Sequence, residues 1–220
     1  MVPPFGSLRS RCGRMPACRL RQNDAMLAVA LLLPVAWLVG TFPSALLVAR
    51  AHGRDILQEG SGNPGASNVA RLLGWRAGAL VAVCDFAKGA VAAGAGLLVD
   101  GRPGACLLGV AAVVGHTFPL YRKGGKGVAA AGGALVVLYP LIVAGLAVIW
   151  FVIARVLHKA SLASLLATIL FPIAVFAFGY DTWEAAAVGG LAVLVVVRHA
   201  GNIRRLLHRT EIDLGAQPGA

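Results

Sequence analysis

The 220-residue sequence reads as an all-α polytopic membrane protein, and composition, run length and loop charge carry that reading. Apolar residues make up 58% of the chain, charged residues only 13%, and the mean hydropathy is +0.78, which is too apolar for an ordinary soluble domain. Several apolar runs reach the roughly 17–25 residues that a helix needs to cross a bilayer. The formal charge of +11 suggests nucleic acid in a soluble protein. Here Lys and Arg cluster between the apolar runs, the pattern of cytoplasmic loops facing anionic lipid, so no nucleic-acid partner is expected. The four cysteines follow no metal or disulfide spacing, so neither a metal nor a cofactor is expected.

Residues 1–25 stand apart. They hold five arginines, show no amphipathic period, and are expected to be disordered, with Met26 opening the first apolar run. Arginines outside the membrane would oppose the positive-inside rule, so translation is expected to start near Met26, or the extension to be dispensable. Seven apolar segments follow, at about 26–50, 74–99, 104–121, 127–139, 141–157, 161–179 and 184–198. The fourth and fifth meet at Tyr139-Pro140, where proline removes a backbone donor and favours a break over one kinked helix.

Six spans are the alternative, and loop charge argues against it. With seven spans and the N-terminus outside, one face collects Arg50, Arg54, Arg71, Arg76, Arg122, Lys123, Lys126, Arg155, Lys159, Arg198, Arg204, Arg205 and Arg209. The opposite face keeps Arg102 with Asp100, Asp181 and Glu184. That places the C-terminus and all three polar loops on the cytoplasmic side. Residues 26–211 are expected to form one domain, followed by a flexible tail over 212–220.

The first polar loop is Gly60-Ser61-Gly62-Asn63-Pro64-Gly65-Ala66-Ser67-Asn68-Val69-Ala70-Arg71. Its glycine spacing matches the dinucleotide fingerprint, but that motif needs a preceding strand in a soluble unit, and an apolar helix precedes it here. Small residues such as Gly62 and Gly65 let backbone amides approach an anion. Ser61, Asn63, Ser67 and Asn68 are candidate contacts, and Arg71 offers a bidentate fork. A re-entrant turn satisfying its own backbone is the plainer alternative.

The second loop, Gly115 to Gly127, ends in Arg122-Lys123-Gly124-Gly125-Lys126-Gly127 and contains His116. A glycine-flanked lysine at a helix start suits a phosphate, since amides and ammonium act on one anion; a headgroup anchor is the alternative. The third runs from Arg198 to Glu211, where His199, Asn202 and Arg204 or Arg205 share a helical face, or where a basic tail lies on the membrane. Asp85 and Lys88, three apart at membrane depth, are expected to pair with each other. Ser161 and Ser164, also three apart, sit at the mouth of a span, where capping is the simplest role.

The trio GSGNPGASN, GHTFPLY…KGGKGVA and RHAGNIRRL…E, in this order between these spans, resembles the bacterial acyl-phosphate:glycerol-3-phosphate acyltransferase family from about residue 38 to 211. The resemblance implies a seven-span bacterial inner-membrane enzyme that moves a fatty acyl group from acyl phosphate to glycerol 3-phosphate, without metal or cofactor. A soluble enzyme that makes acyl phosphate would be its functional partner. It assigns substrate phosphates to Ser61, Arg71, His116, Lys126, Ser161 and Ser164, and chemistry to Lys126, His199, Asn202 and Glu211. Ser67 stands where the family usually has threonine. A transporter of anionic metabolites and a lipid-binding scaffold are the other two functions considered. The transporter is disfavoured because no internal repeat is visible.

Overall fold

The computed structural model describes residues 16–120 and 123–215, and the secondary structure in them is entirely helical. Among the described residues nine helices follow in order: α1 Pro16–Gly40, α2 Ser44–Ala51, α3 Ala66–Leu73, α4 Trp75–Thr117, α5 Val128–Val136, α6 Pro140–Leu157, α7 Ala160–Ala177, α8 Thr182–Arg198 and α9 Ala200–Leu207. Four stretches among the described residues are long and apolar enough to cross a membrane: Gln22–Ala51, α4, α6 and α7. A fifth is added if α8 and α9, bent by 60°, count together. Leu31, Leu98, Leu141 and Phe176 stand exposed on the outer surface, as lipid-facing side chains must.

Helix α4 is 43 residues long because it doubles back on itself. Asp100 and Gly101 leave the helical region, with Gly101 at φ 60, a conformation that glycine adopts without a side-chain clash. The two limbs then touch at backbone level: a methyl group on Gly96 would lie 2.1 Å from the Gly104 carbonyl oxygen. The same device joins the neighbours. Gly115 meets the Trp37 carbonyl of α1, and Gly133 of α5 meets the Phe86 carbonyl. Helices in lipid gain little from burying apolar groups, so close backbone packing between small residues holds them together.

The sequence break at Tyr139-Pro140 is present, with Pro140 as the first residue of α6. Asp85 and Lys88 pair as expected, at 2.8 Å. Ser44 Oγ donates to the same Asp85 oxygen at 2.5 Å, and Lys88 donates to the Phe42 carbonyl at 3.2 Å. Two expectations are corrected. Residues 16–25 belong to α1 rather than to a disordered extension; Pro16 occupies the helix start, where its missing N–H costs nothing, and Arg and Gln that follow are good helix formers. Residues 1–15 lie outside the described residues. Residues 212–215 are not a free tail either: Leu214 N–H donates to the His158 carbonyl at 2.7 Å, and Arg71 binds the carbonyls of Ile212 and Asp213, as set out below. Residues 216–220 lie outside the described residues.

Opposite the polar loops, Arg102 at the α4 turn forks onto both oxygens of Glu184, each contact 2.6 Å. Tyr139 adds its hydroxyl to Glu184 at 2.7 Å, and the Arg102 guanidinium lies 5.2 Å from the Tyr139 ring centre. These residues read as loop charges in the sequence. Folded, Glu184 is only 2% exposed, so the pair clamps α4, α6 and α8 together. Removing one partner of a buried pair leaves an uncompensated charge, at a cost of about 3–5 kcal/mol. Arg102→Ala is therefore expected to lower unfolding stability in detergent by about 3 kcal/mol, and Tyr139→Phe by about 1 kcal/mol. A thermal or denaturant melt of the purified variants reads both; an Arg102→Ala melt matching wild type would refute the clamp.

Candidate active site

The three polar loops meet at one end of the helix bundle. In the first, Asn68 of α3 is 1% exposed and organises the preceding turn. Its carbonyl accepts the Ser61 N–H at 2.9 Å, and its amide donates to the Glu59 and Ile56 carbonyls at 3.1 and 3.3 Å. Gly60 and Gly62 both have positive φ, near +60, which keeps this turn tight. Asn68 thus holds the loop that presents Ser61, with its own polar groups already spent. The nucleotide fingerprint is absent as a structure, since an α-helix and not a strand precedes the loop.

In the second loop, glycine is required by space. A methyl on Gly124 would sit 2.1 Å from the Thr117 carbonyl oxygen, and one on Gly125 would sit 2.1 Å from His116 Nε2. Gly125 N–H donates to the His116 carbonyl at 3.1 Å, and Arg198 Nη2 donates to the Gly124 carbonyl at 3.0 Å. The loop is folded back onto the end of α4, so Lys126 is delivered into the space between the loops. Burial there pulls the Lys126 ammonium down to about 8, with Glu211 opposing that shift and Arg205, Arg71 and Arg198 adding to it. His116 Nδ1 stands 3.6 Å from Asp85.

The third loop begins where α8 ends and α9 turns away from it. His199 sits at that turn, 2% exposed. Its Nδ1 lies 2.8 Å from the Val195 carbonyl. A carbonyl only accepts, so Nδ1 carries the proton and Nε2 keeps a lone pair. Burial pulls the imidazole down to about 4, so it is neutral at pH 7.

Glu211 is the acceptor at the centre of this end. Its Oε1 accepts from Ser161 Oγ at 2.7 Å and Asn202 Nδ2 at 2.6 Å, and its Oε2 accepts from Arg205 Nε at 2.8 Å. Burial pushes this carboxyl up, but the three donors outweigh it and hold it below the usual range. Lys159 donates to the Glu211 carbonyl and pairs with Asp213 at 2.5 Å. Arg71 donates to the carbonyls of Asp213 and Ile212, at 2.8 and 3.1 Å, and its own pKa is lowered by burial. Ser164 donates to the Ala160 carbonyl at 2.8 Å and accepts from Trp150 Nε1 at 2.9 Å.

One cavity of about 870 Å³ collects most of the sequence-predicted residues. Its polar end is lined by Ser61, Asn63, Gly65, Ser67, Asn68, Arg71, His116, Lys126, Ser161, Ser164, His199 and Asn202. Gly62, Gly124, Gly125 and Glu211 are outside the lining and support it from behind. From the polar end the cavity extends between helices along Leu135, Val143, Leu146 and Phe171. A cationic end joined to a hydrocarbon slot suits an anionic amphiphile. Sequence reasoning missed Trp150 and Lys159 as partners of Ser164 and Glu211. A tryptophan in an apolar run and a lysine at a span end carry no local mark of such pairing.

The Lys126 shift sets a pH dependence. Its ammonium is lost as pH rises through about 8, and with it the attraction for an anion. Affinity for inorganic phosphate, followed by calorimetry from pH 7 to 10, is expected to fall about tenfold per pH unit above that point. Lys126→Arg is expected to carry the plateau to higher pH, since guanidinium does not titrate there. A flat profile for wild type through pH 10 would exclude Lys126 as the anion contact.

Residues 30–209 match the family described as Glycerol-3-phosphate acyltransferase. Among curated relatives, the Glycerol-3-phosphate acyltransferase of Bacillus subtilis (strain 168) is 40% identical over 188 residues, covering 83% of this chain and 96% of the relative. That of Salinibacter ruber (strain DSM 13855 / M31) is 38% identical over 216 residues, covering 87% and 94%. Two crystal structures of PlsY (YgiH), an integral membrane glycerol 3-phosphate acyltransferase, superimpose on the fold at 34% identity. The glycerol 3-phosphate form gives a TM-score of 0.81 over 86% of this chain and 96% of the other. The lysophosphatidic acid form gives 0.77 over 84% and 95%.

Proposed function

The chain belongs to the glycerol-3-phosphate acyltransferase family, as an integral membrane enzyme of the PlsY type that makes lysophosphatidate, and on that premise we propose how its residues divide the reaction. The donor is acyl phosphate. The 1-hydroxyl of sn-glycerol 3-phosphate attacks the acyl carbonyl, the bond from that carbonyl to the phosphate oxygen breaks, and inorganic phosphate leaves. The observation that carries this reading is the convergence of Lys126, Arg71 and His199 on one cavity whose other end is hydrocarbon.

Lys126 and Arg71 hold the two phosphates, with the side chains of Ser61, Asn63 and Ser67 supplying neutral donors and the tight turn at Gly62 and Gly65 presenting them. His116, Gly124 and Gly125 fix the lysine's loop. His199 Nε2 accepts a hydrogen bond from the attacking hydroxyl and aims it. The proton then passes to a phosphate oxygen, because a phosphate monoester with a second pKa of about 6 is a stronger base than an imidazole held near 4. Asn202, Ser161 and Glu211 are positioning residues, tied to one another by the hydrogen bonds around Glu211, and Ser164 is a further one, held by Trp150 and the Ala160 carbonyl. No covalent enzyme intermediate is required. Phosphate is a good leaving group, so alignment and charge stabilisation carry the rate.

The same reading takes seven crossings with the polar loops cytoplasmic and the N-terminus outside, in a bacterial inner membrane. In support, the chain reverses at Asp100–Gly101 and breaks at Pro140, and the basic residues gather at the polar end. A soluble acyl-phosphate-forming enzyme supplies the donor on that side. Residues 26–211 make up the acyltransferase unit.

Purified protein given an acyl phosphate and labelled glycerol 3-phosphate is expected to release equal amounts of lysophosphatidate and phosphate. Acyl thioester in place of acyl phosphate is expected to give neither product. Lys126→Ala and Arg71→Ala are each expected to lower kcat/KM by about 100-fold, the typical loss of a charge-stabilising donor, with both variants still folded. Near-normal rates in both variants would break the phosphate assignment; folded wild type forming no lysophosphatidate would break the reading itself.

A further inference from the structure

The cavity has a defined far end, and that end is built to resist deformation. On α7 its wall is Ser161, Ser164, Ala167, Thr168 and Phe171, a single helical face that passes from hydroxyls to hydrocarbon. Ser161 and Phe171 are ten residues apart, a helical rise of about 15 Å. One turn further along, Val175 is fully buried in the core and no longer lines the cavity. On α8 the wall likewise runs from Val195 to Val188 and stops. Small residues widen the middle, namely Ala131, Gly132, Ala147 and Ala192.

Phe171 closes this slot with Leu135, Val188 and Leu191, all members of one buried cluster. Its ring stands edge-on to Tyr139, with centres 5.9 Å apart and planes at 72°. Tyr139 is itself fully buried and bonded to Glu184, which Arg102 grips from the α4 turn. The floor therefore rests on the buried ion pair at the opposite membrane face. A close-packed ring with such backing does not yield to an added methylene as a loose floor would.

We propose that Phe171 sets the length of acyl chain the enzyme prefers, by meeting the terminal methyl of the donor. The proposal rests on the acyl-phosphate reading above. A second path competes with it. Ala79 and Ala82 on the first limb of α4 and Ala147 and Phe151 on α6 also edge the cavity, and Ala79, Ala147 and Phe151 are exposed. A chain leaving sideways through that cleft would never touch Phe171.

The test uses the full chain in liposomes with saturated acyl phosphates from dodecanoyl to icosanoyl, and kcat/KM for each donor relative to the shortest. In Phe171→Ala the optimum is expected to move to longer donors, with relative kcat/KM rising about fourfold for each methylene newly buried. Phe171→Leu is expected to move it in the same direction by less, and guards against the alanine variant failing to fold. Ala167→Phe raises the floor by about one turn and is expected to move the optimum to shorter donors. An unchanged ranking of donors in the folded variants would mean that the chain takes the cleft, and would overturn the proposal. No product from any donor with wild type would instead overturn the acyl-phosphate reading.

Discussion

The Glu211 carboxylate sits among Arg71, Lys126, Arg198 and Arg205 and ties α7, α9 and the C-terminal segment to one point. Like charges in a poorly solvated space repel far more strongly than in water, so this set of cations cannot be packed together without an anion. Glu211 offsets part of that charge and leaves the rest unsatisfied. The surplus lies toward Lys126 and Arg71, which line the cavity, while Arg205 is spent on the carboxylate. Arg71 is meanwhile held by two neutral carbonyls. Hydrogen bonds to a charged phosphate oxygen are roughly twice as strong as those to neutral acceptors. Under the proposed assignment, a phosphate would have an advantage over the contacts Arg71 already makes, leaving the polar end rigid without being saturated.

The framework that delivers these residues is unusually close. Where Gly96 meets Gly104, and Gly133 meets Phe86, backbones touch with no side chain between them. That brings the end of α4 beside the start of α5, and the loop between them has no room for a Cβ at Gly124 or Gly125. The glycines that read as an anion-binding device in the sequence have a second use. They let the loop fold under His116 so that Lys126 reaches the cavity.

Much of this was legible beforehand, and the limits have physical causes. Apolar runs locate the helices because lipid requires it, Pro140 marks its break, and Asp85 and Lys88 find each other because they are one helical turn apart. The three motifs point to one site because loop charge assigns them to one face. Pairings across long separations leave no such trace. Arg102 with Glu184, Asn68 with the turn before it, and Ser161 with Glu211 are individually ordinary polar residues until the fold brings them together. Asn68 and Glu211 illustrate the consequence. Both belong to the motifs and both lie at the site, yet their polar atoms are engaged with protein, so membership of a motif identifies the site's framework as well as its contacts. The helical residues 16–25 were misread for a different reason: an arginine-rich segment lacking a period gives no packing signal, while its helix propensity is intact.

The two ends of the molecule use the same device, a buried carboxylate gripped by an arginine and neutral donors, Glu211 at one and Glu184 at the other. Between them lies a slot lined by small and aliphatic residues. Fixing both ends makes the distance between phosphate contacts and hydrocarbon floor a property of the backbone, independent of whatever occupies the slot. On the proposed reading, a donor lodged in it would have its carbonyl placed relative to Lys126 and His199 before any acceptor binds. For the proposed reaction, whose leaving group departs readily, that placement is the larger part of what a protein can add, and it would account for a polar end that has cations, a neutral histidine and glycine-rich backbone with no attacking side chain called for.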